Sequence, residues 1–172
     1  MIMTDKYTES LTQSILAQQF CIKKNHEMVV PNIKCIHGWW EADLLSLTKS
    51  NLIHEFEIKC SRADWKKELN QINGIGHPGR KLYRHRMITE QFHSDDDLDV
   101  SPNYFWVVAP SGIVQLDELS LWCGYIEVYE HQGQQKIKIV KSASRLHAYK
   151  ARDKVIMSMA RGLNYRLWSM KK

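Results

Sequence analysis

Ala42-Asp43-Leu44-Leu45-Ser46-Leu47-Thr48, then Lys49-Ser50-Asn51, then Leu52-Ile53-His54-Glu55-Phe56-Glu57-Ile58-Lys59: the reading of this stretch decides the fold. Two strand-like runs flank three residues that include turn-forming Ser and Asn. So short a connection makes the pair an antiparallel hairpin. Period-two alternation then puts His54, Phe56 and Ile58 on one face of the second strand, and Glu55, Glu57 and Lys59 on the other. Asp43 opens the first strand, and the hairpin folds it back toward Glu57 and Lys59. Two carboxylates and an ammonium therefore converge at one sheet edge.

Before the hairpin, Leu11, Ile15, Leu16 and Phe20 recur at helical spacing, which predicts a helix from about Asp5 to Lys23; Pro31 and Gly38 punctuate the region between that helix and the hairpin. Beyond the hairpin, Ser61 and Asp64 match a helix-start pattern, and the helix should run through Trp65 and Leu69 to about Asn73. Residues 74–101 are polar and irregular and look like an insertion, the kind of long loop that is functional or mobile. Tyr104 to Ala109 is a dense apolar run that reads as a central strand stopped by Pro110. Gly124 to Tyr129 and Lys136 to Val140 are further strands around a turn at Gln132-Gly133. Lys150 to Trp168 is a basic amphipathic helix with Val155, Met159 and Leu163 on one stripe. The expected architecture is α/β, a mixed central sheet flanked by helices. At 172 residues, one domain suffices.

Composition is that of an ordinary globular chain, and a formal charge of +5 fits a polyanionic partner such as nucleic acid. Cys21, Cys35, Cys60 and Cys123 show no C-x-x-C spacing, which argues against a zinc ribbon, a redox motif or a clustered iron–sulfur centre. They read as free thiols in a reducing compartment. The N-terminus lacks a basic stretch followed by an apolar core, and no run of 18 apolar residues occurs. The expectation is therefore a cytoplasmic protein without signal peptide or membrane partner.

Converging carboxylates repel unless a cation or a proton joins them. A hard divalent ion such as Mg2+ takes oxygen ligands, lowers the pKa of a bound water and neutralises charge on a phosphate. Asp43, Glu57 and the carbonyl of Ile58 would ligate it, and Lys59 would orient or deprotonate the water and stabilise the transition state. The plain alternative is a cross-strand ion pair on a solvated face, which is common and decorative. The apolar setting Trp39-Trp40-Glu41-Ala42-Asp43-Leu44-Leu45 weighs against it. Glu55 shares the face of Glu57, but only Glu57 has a lysine two residues later.

Asp, hairpin, then Glu-x-Lys, with a helix before and after, resembles the PD-(D/E)xK nuclease superfamily. Glu57-Ile58-Lys59-Cys60-Ser61-Arg62-Ala63-Asp64-Trp65 is similar to the E-x-K-x-S-x-x-D-[FW] segment of MmcB-like DNA-repair proteins and related phage-type nucleases. The similarity extends through Tyr104 to Gly112, Gly124 to Tyr129, and Lys141-Ser142-Ala143-Ser144-Arg145-Leu146-His147, covering roughly residues 35–150. Ala42 stands where the nominal motif has Pro. The resemblance implies a restriction-endonuclease-like core and an Mg2+- or Mn2+-dependent deoxyribonuclease acting in DNA repair, recombination or phage DNA processing. Many members add a metal-binding acid from the first helix, for which Glu9 is the candidate; an ordinary first-turn acid complementing the helix dipole is the competing reading.

For substrate contact, Ser61 caps a helix whose N-terminus favours anions, with Arg62 beside it, although plain capping explains Ser61 equally. Arg80, Lys81, Arg84 and Arg86, interleaved with Tyr83, form the densest basic cluster and suit backbone contact with base stacking; a solvated loop is the alternative. The apparent G-x-G-x-x-G at Gly74, Gly76 and Gly79 follows a helix rather than a strand and contains Pro78, so it is no dinucleotide site. His54 faces the core and reads as structural. Two other functions stay open: a non-cleaving nucleic-acid-binding module on the same fold, and a structure-selective junction resolvase acting as a homodimer. DNA is the expected partner in each, with RNA not distinguished by sequence.

Overall fold

In the computed structural model, residues 7–34, 41–72 and 102–171 are described. They form a six-stranded sheet in sequential order, with helices on both faces. Thr8 caps helix α1, Glu9–Leu16, its hydroxyl accepting from the Leu11 N–H at 3.2 Å. A wider π-helical stretch, Ala17–Ile22, carries the helix on. Then come β1 (His26–Ile33), β2 (Ala42–Thr48), β3 (Ile53–Ile58) and α2 (Arg62–Ile72). They are followed by β4 (Tyr104–Pro110), a short 3₁₀ turn at Leu116–Glu118, β5 (Gly124–His131), β6 (Gln134–Lys141) and α3 (Asp153–Ser169).

The β2–β3 hairpin is antiparallel, with Leu44 opposite Phe56 and Leu47 opposite Ile53. Asn51, at φ +59, makes its tight reversal, a conformation asparagine tolerates. β3–β4 and β4–β5 are parallel, whereas β1–β2 and β5–β6 are antiparallel, so the sheet is mixed as expected. β1 was not expected: Pro31 and the left-handed Asn32 (φ +46) interrupt any alternation, and an edge strand is where a proline is tolerated. Among the described residues no helix is long and apolar enough to cross a membrane. The region read as an insertion, with Trp39 and Trp40, lies outside the described residues.

Alternation sorts the core into two layers. On one face Ile15, Leu16 and Phe20 of the first helix pack on Leu44, Phe56, Ile58, Trp106, Val108 and Ile126. On the other, Val155 and Met159 of α3 cover Val30, Leu45, Leu47 and Ile53, while Trp65 of α2 covers Phe105, Val107 and Tyr125. β4 is buried on both faces, which is why its sequence is a continuous apolar run. Gly124 is required where β5 starts: a Cβ there would lie 2.7 Å from the Ala143 nitrogen and closer still to the Trp106 ring. Cys21 and Cys123 are buried and Cys60 half-buried, all as free thiols.

Candidate active site

The β2–β3 ladder ends at Leu44 and Phe56; one step further, the antiparallel register brings Asp43 opposite Glu57. There the strands part. The Ile58 N–H donates not to a β2 carbonyl but to Asp43 Oδ2, at 2.7 Å. The Lys59 N–H, pointing the other way, donates to the Val108 carbonyl at 2.9 Å. β3 thus stays bonded to β4 while leaving β2, and β2 stays with β1 as far as Ala42 opposite Ile33. The fork opens between Asp43 and Glu57. A strand residue sends its carbonyl the same way as its N–H, so the Ile58 carbonyl faces the fork as well.

The other wall of the fork is set by α1 and β1. Gln13 Nε2 donates to the Asp43 carbonyl at 2.8 Å and to Glu9 Oε1 at 3.0 Å, and is also bonded to Asn32 Oδ1. Asn32 lies across β1 from Asp43, between the pairs Pro31–Leu44 and Ile33–Ala42. One amide thereby ties the first-turn acid of α1, the kink in β1 and the main chain of Asp43. Glu9 itself is exposed, and its charge reaches Asp43.

Glu57 and Lys59 are buried, 3% and 5% exposed. Lys59 Nζ lies 2.7 Å from Glu57 Oε1 and 3.1 Å from Oε2 of Glu68, a buried acid on α2. Burial alone would favour the neutral amine. The charges of Glu57 and Glu68 and the bond to Glu57 outweigh it, holding Lys59 well above its ordinary pKa. The Asp43 pKa is raised too, which for an acid favours the neutral form. Burial raises its pKa first and the charge of Glu57 next, and the Ile58 N–H and Lys59 only partly offset them, leaving it at about 7. Glu55, on the same face, is enclosed further into the sheet opposite Leu45 and Phe105.

Asp43, Glu57, Lys59 and the Ile58 backbone are therefore brought together, with Glu9 at the rim through Gln13. Ser61 is exposed and its hydroxyl accepts from the Asp64 N–H at 3.2 Å, the capping geometry. Arg62 is engaged elsewhere: its guanidinium donates to Glu118 and to the Ile113 carbonyl, the latter at 2.7 Å. Glu118 also accepts from Trp65 Nε1 at 2.7 Å. The Arg62 bond, ahead of those from the Gln115 N–H and Trp65, takes its pKa down to about 2. Arg62 thus anchors the 3₁₀ turn to α2. Arg80, Lys81, Tyr83, Arg84 and Arg86 lie outside the described residues.

Glu68, Gln13 and Asn32 were not expected at the site from the sequence. Glu68 follows Trp65 by three residues, so both occupy one helix face, and a glutamate in line with a core tryptophan was the available signal. Gln13 likewise stands one turn beyond Glu9.

Among the described residues no group of three or more His, Cys, Asp or Glu side chains is arranged to hold a metal ion. The set that could do so is two carboxylates, Asp43 and Glu57, with the Ile58 carbonyl. It is all oxygen, and acids outnumber the one ammonium, which is the chemistry a hard divalent cation fits. No family model and no curated protein matches the chain. A solved structure of a protein of unknown function from Silicibacter pomeroyi is similar in fold, with a TM-score of 0.61 at 13% identity, over 97% of this chain and 94% of that one.

Proposed function

We propose that this chain is a PD-(D/E)xK nuclease, hydrolysing phosphodiester bonds of DNA with Mg2+ or Mn2+. One observation carries the reading. The hairpin forks where Asp43, oriented by the Ile58 N–H, meets Glu57 with Lys59 bonded beside it. An ion pair on a solvated strand face would have no reason to be buried, nor to sit where two central strands separate.

A bound Mg2+ or Mn2+ would supply Lewis-acid polarisation of the phosphodiester and a water acidified for attack. Asp43, Glu57 and the Ile58 carbonyl would hold it. Asp43 enters this role already held, because the Ile58 N–H fixes one of its oxygens and leaves the other to ligate. Lys59 is a held cation, so its contribution is to offset the charge that grows on the phosphate oxygens. In the reaction the oxygen of a water forms a new bond to phosphorus, one ester P–O bond breaks, and the departing oxygen takes up a proton. The basic excess of the chain favours approach of a polyanion.

The test is cleavage of single-stranded, duplex and branched DNA in Mg2+ or Mn2+, against EDTA and against Lys59→Ala. The reading expects cutting in metal alone, and a loss of at least about a hundredfold in Lys59→Ala, the scale of removing one preorganised charge-stabilising group. Salt-sensitive binding without cutting of any substrate would replace it with the non-cleaving module.

A further inference from the structure

Lys59 has two anionic partners on two different elements. Glu57 is two residues away on the same strand, but Glu68 comes from α2, and both are buried. A single carboxylate would suffice to neutralise the ammonium. Under the proposed reading, on which this inference rests, a divalent cation held by Glu57 draws electron density from the carboxylate whose Oε1 accepts from Lys59 at 2.7 Å, and so weakens that bond. A lysine with Glu57 as its only anchor would swing as the metal arrives. α2 removes that problem. Trp65, packed at 2% exposure against Phe105, Val107 and Tyr125, fixes the helix, and Glu68 stands one turn further on the same face.

We propose that Glu68 is a positioning residue, which retains the Lys59 ammonium at the fork when Glu57 turns to the metal. Glu68 touches neither metal nor phosphate in this role and acts through Lys59 alone. It also accounts for a charged side chain at the core-facing side of α2, where an apolar residue would pack without desolvation cost.

The experiment tracks the side-chain ammonium of Lys59 by 1H–15N NMR in Mg2+-free and Mg2+-saturated protein, its signal assigned by its absence in Lys59→Ala. Held ammonium protons exchange slowly enough to be seen, whereas those of solvated lysines do not. The signal is expected to survive Mg2+ in the wild type and in Glu68→Asp, and to vanish on adding Mg2+ in Glu68→Gln. A signal in Glu68→Gln that persists in Mg2+ overturns the inference, whether or not the protein cuts DNA. In the cleavage assay, Glu68→Gln should lower kcat by about 10- to 100-fold, the usual cost of losing an outer-shell partner, with KM for DNA little changed. In a Lys59→Ala background the same substitution should have no further effect. Equal losses in both backgrounds would make Glu68 merely structural. Absence of cutting by a wild type whose Tm still rises in Mg2+ would fall on the nuclease reading alone, and the NMR result would still decide Glu68.

Discussion

Asp43 is costly to ionise. Its carboxylate is half-buried and repelled by Glu57, so its pKa stands at about 7, and its charged form is tolerated at neutral pH rather than favoured. Asparagine keeps the oxygen that accepts from the Ile58 N–H and removes the charge. In EDTA, Asp43→Asn should therefore be more stable than the wild type, by up to about 4 kcal/mol, since the Asp43 pKa stands about three above its ordinary value and each pKa unit is worth about 1.4 kcal/mol. Thermal unfolding at pH 7.5 would show this as a higher Tm, by roughly 2–4 °C for each kcal/mol. Mg2+ reverses the order: binding to the folded state raises the wild-type Tm by mass action and leaves the variant unmoved. Equal Mg2+ shifts in the two proteins would remove Asp43 from the ligand set. At this scale, the period of a strand suffices to set Glu57 beside Lys59, and a short turn suffices to fold Asp43 toward them. Glu68, Gln13 and Asn32 were not legible in the same way. Helical spacing puts Glu68 in line with Trp65, but where Glu68 and Gln13 arrive depends on how α2 and α1 cross the sheet, and where Asn32 arrives depends on an edge-strand register that β1 does not show by alternation.

Between elements, the sheet is held in register by buried polar bonds as well as apolar layers. Asn103, 1% exposed, precedes β4 and accepts from the Ile53 N–H at 2.7 Å. It returns the pairing by donating its own backbone N–H to the Ile53 carbonyl at 2.9 Å. Its amide nitrogen donates to the carbonyls of Tyr149 (2.7 Å) and His147 (3.2 Å). One side chain thus fastens the start of β3 to the extended segment that leads from β6 to α3. Asn103→Ala leaves a buried N–H and two carbonyls without that partner and should cost about 2–3 kcal/mol. Urea unfolding would register a lower midpoint, and the Ile53 amide should lose hydrogen-exchange protection. An unchanged midpoint would mean that the segment is held by its other contacts. The strands around Asn103 were readable because β4 and β5 are apolar runs bounded by turn residues. The asparagine was not, since a polar residue before a strand reads as a loop. β1 escaped for a related reason: an edge strand needs only one bonded side, so its sequence carries proline, asparagine and no clean alternation.

Across the whole molecule, the described residues include groups on opposite sides of the sheet's central strands that act with opposite sign on stability between about pH 6.5 and 5. His26 and His54 stand with ring centroids 4.9 Å apart, among Phe20, Tyr104 and Trp106. His54 Nδ1 accepts from Trp106 Nε1 at 3.0 Å, so in the folded state it carries its proton on Nε2. Burial, then each ring's cationic neighbours, lower the pKa of His26 to about 4 and of His54 to about 3. Unfolded, both titrate near their ordinary value, so below about pH 6.5 the unfolded chain binds two protons that the folded chain refuses, and stability falls with pH. Asp43 works the other way. Its folded pKa of about 7 exceeds its ordinary value, so the folded chain binds one proton that the unfolded chain refuses, and stability rises as pH falls. The net imbalance of one proton predicts a loss of at most about 1.4 kcal/mol per pH unit in metal-free wild type as pH drops from about 6.5 to 5. Asp43→Asn removes the offset and should approach about 2.7 kcal/mol per unit. His54→Phe keeps Asp43 but loses one histidine, and its curve should be nearly flat over the same interval. Urea unfolding of the three proteins in EDTA, at half-unit steps of pH, separates these slopes. Parallel curves for wild type and Asp43→Asn would show that Asp43 is ionised throughout, and the fork would then be a stable ion cluster needing no further cation.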